Sequence, residues 1–131
     1  MIVTDVDADM CSIASRNLRP FGARVTVQQA DANDLPFGDD SVDYVLSFLM
    51  LHHTGDCRQT AHETIRVLRP GGRFVGIDIV AGAPLHHPER FEVLMRRGEL
   101  DRFLPALPVT AFEFGRGLHG WSCGSSLRRK P

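Results

Sequence analysis

The middle of the chain alternates between short apolar runs and stretches whose apolar residues recur at helical spacing. Residues 42–46 (VDYVL) are rich in β-branched and aromatic residues and too few for a helix, which predicts a parallel core strand. From Asp56 onward, apolar and small residues recur every three or four positions, which predicts a helix covering a sheet. The Pro-Gly-Gly run at 70–72 ends this helix, and residues 73–80 form the next predicted strand. Together these elements make a βαβ unit, whose ligands bind at the carboxyl ends of its strands.

Further elements flank this unit on both sides. The β-branched content of residues 2–6 and 24–30 predicts two more strands, and Asp7 or Asp9 is predicted to cap the helix between them. Towards the C-terminus the pattern predicts a loop at 81–87, a helix at 88–97, and strands at 109–114 and 121–127. The order of strands and helices indicates an α/β fold.

Four short motifs follow one another through the middle of the chain. They are D-x-x-D-L-P-F at 31–37, S-V-D-Y-V-L-S at 41–47, L-H-H at 51–53 and R-V-L-R-P-G-G-R-F at 66–74. Each motif is weak alone, but their order and spacing closely resemble the class I methyltransferases that use S-adenosylmethionine (SAM). Within that family the chain is most similar to the group that includes the ubiquinone and menaquinone biosynthesis enzymes. The resemblance implies a Rossmann-like sheet with a C-terminal antiparallel strand pair, and methyl transfer from SAM to a small-molecule acceptor.

The family's first strand and its glycine-rich G-x-G-x-G turn have no counterpart in these residues. The resemblance therefore implies one incomplete, N-terminally truncated domain over residues 1–131, with a cofactor-binding part at 1–80 and a substrate-side helix and strands at 81–131. Three explanations compete: a start codon called too late, a degenerate gene remnant, or a second subunit or rearranged strand that fills the gap. The alternative function is accordingly a non-catalytic remnant or interaction module of the same fold.

The resemblance assigns two acidic residues and their neighbours to the adenosine part of the cofactor. Asp5, followed by Val6, matches the acidic position that holds the ribose, where one carboxylate can accept hydrogen bonds from both hydroxyls. Asp31 and Ala32 match the adenine contacts, through the carboxylate and a backbone N–H. The alternative for Asp31 is that it only caps a turn before Asn33.

Residues near the ends of the next two strands are candidates for the reacting centre. Ser47 and Phe48 leave the carboxyl end of their strand and are expected to border the methionine portion of the cofactor. His52 and His53 are weak candidates for a catalytic base, because imidazole exchanges protons near neutral pH. A place in the wall of the pocket and simple packing are the alternatives for both. Asp78 is expected to face the substrate or to accept from a backbone N–H.

Composition narrows the class of protein. With 131 residues, 43% hydrophobic, 24% charged and a net charge of −1, the chain is ordinary for a globular domain and offers no electrostatic case for binding nucleic acid. The basic residues at 128–130 are predicted to form a solvated tail. No apolar run approaches the roughly 20 residues that span a bilayer, and the acidic residues at 5, 7 and 9 argue against a signal peptide, so we expect a cytoplasmic protein.

The spacing of the cysteines and histidines argues against a disulfide framework and against a metal site. Three widely separated cysteines fit reduced thiols better than a disulfide framework. The histidines and the cysteine between positions 52 and 62 match no usual zinc pattern, so no metal site is predicted. A homodimer remains an open alternative for the assembly.

Overall fold

A computed structural model of the chain describes residues 1–79, 109–116 and 122–130, and side chains for residues 1–78 and 129–130. The described elements are β1 (Ile2–Asp5), α1 (Ala8–Leu18), a 3₁₀ helix (Arg19–Arg24), β2 (Thr26–Gln29), β3 (Val42–Phe48), a second 3₁₀ helix (Leu51–His53), α2 (Cys57–Val67), β4 (Leu68–Ile79), β5 (Val109–Arg116) and β6 (Ser122–Arg129). The loop and helix predicted at 81–97 lie outside the described residues. The chain divides into two compact units, Met1–Pro36 and Phe37–Pro131.

The first unit contains β1, α1, the first 3₁₀ helix and β2. The two strands are parallel, in a register that pairs Ile2 with Thr26 and Asp5 with Gln29. Asp7 caps α1, since its Oδ1 accepts from the N–H groups of Asp9 and Met10 at 2.7 and 3.4 Å. The predicted cap is therefore confirmed for Asp7, while Asp9 lies within the first turn.

The second unit contains a four-stranded sheet in the order β3-β4-β6-β5. β3 and β4 are parallel, and β6 runs antiparallel to both β4 and β5. The βαβ unit and the C-terminal antiparallel pair predicted from the sequence are both confirmed. Within the described residues, β1 pairs with β2 alone and β3 with β4 alone, so these two predicted parallel pairs belong to separate sheets.

A bend connects α2 to the regular part of β4. α2 begins after Asp56, whose Oδ1 accepts from the N–H groups of Arg58 and Gln59 at 2.9 and 3.0 Å. The helix ends at Val67, and β4 starts at once, but its register against β3 shifts before continuous pairing begins at Arg73. The Pro-Gly-Gly run thus forms an irregularity inside the strand and not a separate turn before it.

The two faces of the β3–β4 pair differ in burial. α2 contacts β4, and on one face Ser47, Phe74 and Asp78 are buried. Side chains alternate along a strand, so the intervening residues lie on the opposite face. That open face carries exposed apolar side chains: Tyr44, Leu46, Phe48, Val75 and Ile77.

Two arginines fasten α2 to neighbouring segments. Arg66 donates to both carboxylate oxygens of Glu63 at 2.8 and 2.7 Å, and to Asp39 at 2.8 Å and the carbonyl oxygen of Phe37 at 2.7 Å. These hydrogen bonds to Glu63 and then Asp39 raise the pKa of Arg66 further above its ordinary value. Arg66 is therefore positively charged at neutral pH when it binds these two carboxylates.

Arg129, at the end of β6, binds the last turn of α2. Its Nη1 donates to the carbonyl oxygens of Ile65 and Arg66 at 3.1 and 3.3 Å, and also contacts Asp40 and the carbonyl oxygen of Leu68. The side chain is only 22% exposed. The prediction of a solvated basic tail is therefore wrong for Arg129, because the last carbonyl groups of a helix lack partners within the helix and here accept from its guanidinium. None of the helices in the described ranges is long and apolar enough to cross a membrane.

Candidate functional site

The carboxyl ends of β1 and β2 meet at one edge of the two-stranded sheet. The N–H of Ala30 donates to the carbonyl oxygen of Asp5 at 2.9 Å, which extends the pairing beyond the last residue of β2. Asp5 ends β1, Asp31 follows β2 by two residues, and the two strands are parallel, so both acids lie at this edge.

Asp5 uses one of its two carboxylate oxygens for the local turn. Its Oδ1 accepts from the N–H of Asp7 at 2.9 Å, while Oδ2 has no hydrogen bond to any described residue. The side chain is half-buried. Val6, next in the chain, is exposed, and its carbonyl oxygen accepts from the side-chain amide of Gln29 at 2.9 Å. One oxygen of a charged carboxylate thus remains available for a ligand at the strand end.

Asp31 caps a turn before Asn33, which was the alternative to an adenine contact in the sequence analysis. Its Oδ1 accepts from the N–H of Asn33 at 2.8 Å, and its carbonyl oxygen accepts from the N–H of Asp34 at 3.1 Å. The carboxylate is exposed, and Ala32 beside it is half-buried. The turn-capping role of Asp31 is therefore present, and its adenine contact stays a prediction.

The carboxyl end of β3 carries the pair Ser47 and Phe48. Ser47 is buried, and its Oγ has no hydrogen-bond partner in the described part of the chain. Phe48 points to the open face and is 71% exposed. A buried hydroxyl without a partner is uncommon in folded proteins, and a polar ligand group would satisfy it.

His52 and Asp78 are brought together beyond the ends of β3 and β4. Leu49 leaves β3 in the left-handed backbone region, with φ at 52°, and its N–H donates to the carbonyl oxygen of Ile77 at 2.8 Å. The 3₁₀ helix that follows places the His52 N–H 3.2 Å from Asp78 Oδ2, and the ring Nδ1 2.5 Å from Asp78 Oδ1. The structure therefore gives Asp78 the backbone-acceptor role foreseen for it and adds a ring contact that the sequence did not indicate.

The two histidines of the L-H-H motif differ in their surroundings. The His52 side chain is 20% exposed and Asp78 is 1% exposed, so the pair lies at the boundary between core and solvent. His53 is exposed, and its ring centroid lies 3.9 Å from that of His52 at an interplanar angle of 42°. Among the described residues, no group of three or more potential metal ligands comes together.

The carboxylate of Asp78 fixes the orientation of the His52 ring. Because Nδ1 faces a carboxylate, the neutral ring carries its proton on Nδ1, and Nε2 is the acceptor. Nε2 has no hydrogen bond to any described residue. The arrangement can therefore accept a proton at a defined atom.

A match to a known protein family shows which family the chain belongs to. A family model described as "Methyltransferase domain" matches residues 1–76. The chain belongs to this methyltransferase family. The resemblance seen in the four sequence motifs is thereby confirmed.

Curated relatives of this methyltransferase chain are considerably longer. A demethylmenaquinone methyltransferase from Symbiobacterium thermophilum is 31% identical over 118 residues, covering 88% of this chain and 45% of the relative. The uncharacterized methyltransferase YcgJ from Bacillus subtilis is 37% identical over 78 residues, covering 59% of this chain and 31% of YcgJ. The chain thus spans less than half the length of these relatives.

Solved structures share the fold at low sequence identity. The PH0226 protein from Pyrococcus horikoshii superimposes with a TM-score of 0.78 at 19% identity, over 99% of this chain and 71% of that protein. A SAM-dependent methyltransferase from Aquifex aeolicus gives a TM-score of 0.70 at 19% identity, over 98% and 68% of the two chains. The Rossmann-like methyltransferase fold predicted from the sequence is confirmed.

Proposed function

We propose that the protein is a SAM-dependent methyltransferase acting on a small-molecule acceptor. The observation that carries the proposal is the placement of Asp5 and Asp31 at the carboxyl edge of adjacent parallel strands. Ligands of open α/β sheets bind at that edge, and carboxylates there can accept hydrogen bonds from the hydroxyls and amine of a nucleoside. Membership of the methyltransferase family and the names of its relatives support the same activity.

Within the first unit, each residue has a distinct proposed contact. Asp5 accepts from the ribose hydroxyls through Oδ2, the oxygen left over from the turn, and Val6 lies beside the sugar. Asp31 accepts from the adenine amine through the oxygen that does not cap the turn, and the N–H of Ala32 donates to a ring nitrogen. These roles use only atoms that the described hydrogen bonds leave available.

Within the second unit, Ser47 and Phe48 are proposed to contact the methionine portion. The buried Ser47 hydroxyl offers a donor and an acceptor to a polar group, and the exposed Phe48 ring offers an apolar surface. The bound cofactor supplies a methyl group on a positively charged sulfur. The protein's contribution is chiefly to align the acceptor with that methyl group, because in-line displacement depends on positioning.

The domain organisation, cellular location and partners of the protein are also part of the proposal. We infer that residues 1–131 belong to a single methyltransferase domain that works in the cytoplasm without binding nucleic acid. The near-neutral net charge of −1 supports the absence of a nucleic-acid partner, since such partners are held by a surplus of basic residues.

Calorimetric titration of the protein with SAM tests the assignment of Asp5. The Asp5→Asn variant keeps the Oδ1 acceptor for the Asp7 N–H but replaces Oδ2 with an amide that cannot accept from a ribose hydroxyl. We expect it to weaken SAM binding by about 1 to 3 kcal/mol, roughly 5- to 150-fold in the dissociation constant.

Asp9→Asn is the matched control, because it removes the same charge from an exposed position in the first turn of α1. We expect its affinity for SAM to stay within about twofold of the wild-type value, since a long-range charge effect at the surface is weak. Equal affinities for wild type and Asp5→Asn would remove the ribose assignment. A wild-type protein that binds no SAM would refute the proposed function.

A further inference from the structure

We propose that Gln29 is a positioning residue for nucleoside binding, which holds the turn after β1 so that Asp5 presents its available oxygen to the ribose. The inference rests on the proposed function and deepens it by one residue of the same site. It starts from a side-chain hydrogen bond between the ends of the two parallel strands, in which Gln29 Nε2 donates to the carbonyl oxygen of Val6 at 2.9 Å.

The Gln29 side chain connects the strands beyond the point where their regular pairing ends. Asp5 and Gln29 are the last register partners of β1 and β2, and the N–H of Ala30 donates to the carbonyl oxygen of Asp5 at 2.9 Å. The next carbonyl group along the chain, that of Val6, accepts from the Gln29 side chain. Val6 is therefore tied to β2 although it lies outside β1.

The other hydrogen bonds of this turn join residues that are close in the chain. Asp5 Oδ1 accepts from the N–H of Asp7 at 2.9 Å, Asp7 Oδ1 caps α1, and the carbonyl oxygen of Asp7 accepts from the N–H of Cys11 at 3.0 Å. Local contacts of this kind shape the turn but do not fix it relative to β2. The Gln29 amide supplies that connection, from 23 positions away in the chain.

A single peptide group transmits the effect of Gln29 to Asp5. The carbonyl group of Val6 and the N–H of Asp7 belong to the same peptide unit, which is planar and rigid. Gln29 holds the carbonyl end of this unit, and Asp5 Oδ1 accepts from its N–H end. The orientation of the peptide thus determines how the Asp5 carboxylate is turned, and with it the direction of Oδ2.

The exposure of Gln29 indicates a role in binding more than in folding. Gln29 is exposed, and a neutral hydrogen bond in contact with water contributes little net stability, while holding a glutamine side chain in one rotamer costs entropy. Groups that are ordered before a ligand arrives lose less entropy when it binds. The benefit of the Gln29 hydrogen bond therefore falls on the ligand that Asp5 contacts.

The rigidity of this peptide is measured by ¹⁵N relaxation of the Asp7 amide in the ligand-free protein. We expect an order parameter of about 0.85 in the wild type, as for a rigid backbone, and a clearly lower one in Gln29→Met. Methionine has a similar length but no N–H donor for the Val6 carbonyl oxygen. Equal order parameters in the two proteins would overturn the proposal, whether or not SAM binds.

Calorimetric titration with SAM measures the consequence for binding. We expect Gln29→Met to raise the dissociation constant roughly 3- to 10-fold, the net effect of one hydrogen bond. The midpoint of urea unfolding should stay close to that of the wild type, because the lost hydrogen bond is exposed. A lower midpoint with an unchanged dissociation constant would make Gln29 a structural residue and refute its role in binding.

A double-mutant cycle shows whether Gln29 acts through Asp5. Asp5→Asn retains the Oδ1 acceptor but has no Oδ2 acceptor for the ribose, so the positioning has nothing left to present. Adding Gln29→Met to Asp5→Asn should therefore change the dissociation constant by less than about twofold. A loss of the same size in both backgrounds would contradict a role that acts through Asp5.

Gln28→Met is the matched control, because Gln28 lies next to Gln29 in β2, pairs with Thr4 and makes no side-chain hydrogen bond to a described residue. Its SAM affinity and its Asp7 order parameter should equal those of the wild type. The same titrations separate the two levels of inference. SAM binding that depends on Asp5 but not on Gln29 would refute only the role of Gln29, whereas a wild type that binds no SAM would refute the proposed function as well.

Discussion

Gly71 and Gly72 are adjacent in the bend between α2 and β4, yet they are required for different reasons. Gly71 has φ at 81°, a left-handed conformation that costs a residue with a Cβ about 1 to 2 kcal/mol. A Cβ on Gly72 would lie 2.8 Å from the carbonyl oxygen of Arg69 and 3.1 Å from that of Asp43. We expect Gly71→Ala to lose about 1 to 2 kcal/mol of unfolding free energy and Gly72→Ala about 1 to 3 kcal/mol, measured by urea denaturation.

Gly38→Ala controls for the effect of a methyl group in the unfolded chain. Gly38 has an ordinary φ, and a Cβ there would meet nothing within 4 Å. The substitution should be neutral or stabilise by up to about 1 kcal/mol. Equal losses at all three glycines would show that neither backbone angle nor close approach matters in this bend.

At the scale of single elements, the contribution of Arg66 in α2 can be compared with that of Arg69, which lies just after the helix in β4. Arg66 makes a two-point hydrogen bond to the buried Glu63, whereas Arg69 makes one ion pair with Asp43 in which both side chains are at least half exposed. Arg66→Met should therefore lower the thermal unfolding midpoint clearly more than Arg69→Met, because exposed pairs contribute little. Added salt should reduce the difference between the two unfolding midpoints only slightly. Equal midpoints for Arg66→Met and Arg69→Met would contradict the larger stabilising role of Arg66.

Elements built from local patterns were predictable from the sequence. The β-branched run of β3, the helical spacing of α2 and the capping aspartate of α1 all act over a few residues, and each element was found close to its expected bounds. The edge placement of Asp5 and Asp31 was also predictable, because parallel strands bring their carboxyl ends together. Their ligands were inferred only from resemblance and remain proposals.

Contacts between distant residues were not predictable in the same way. His52 and Asp78 are 26 positions apart, and Arg129 and Asp40 are 89 positions apart, so no periodicity connects them. The sequence offered Asp78 as an acceptor near a strand end but gave no reason to pair it with one histidine ring and not the other. Long-range hydrogen bonds of this kind depend on the register of the sheet and on the turn at Leu49.

At the scale of the whole molecule, the β3–β4 pair has one buried and one exposed face, and a phenylalanine lies on each of them. Phe74 is 7% exposed on the face that also carries the buried Ser47 and Asp78, while Phe48 is 71% exposed on the opposite face. We expect Phe74→Ala to lose about 3 to 5 kcal/mol of unfolding free energy, from lost burial and the cavity left behind. Phe48→Ala should lose at most about 1 kcal/mol, mainly from the lower strand propensity of alanine.

The same pair of variants tests whether the open face is covered in solution. Tyr44 and Leu46 extend the apolar surface around Phe48, and exposed apolar patches are frequent sites of association. If a second copy of the chain covers this face, Phe48→Ala will destabilise the protein nearly as much as Phe74→Ala, and sedimentation velocity will show the wild-type dimer dissociating in the variant. A monomeric wild type with a mild Phe48→Ala effect excludes the homodimer through this face, because burying Phe48 would make its removal costly.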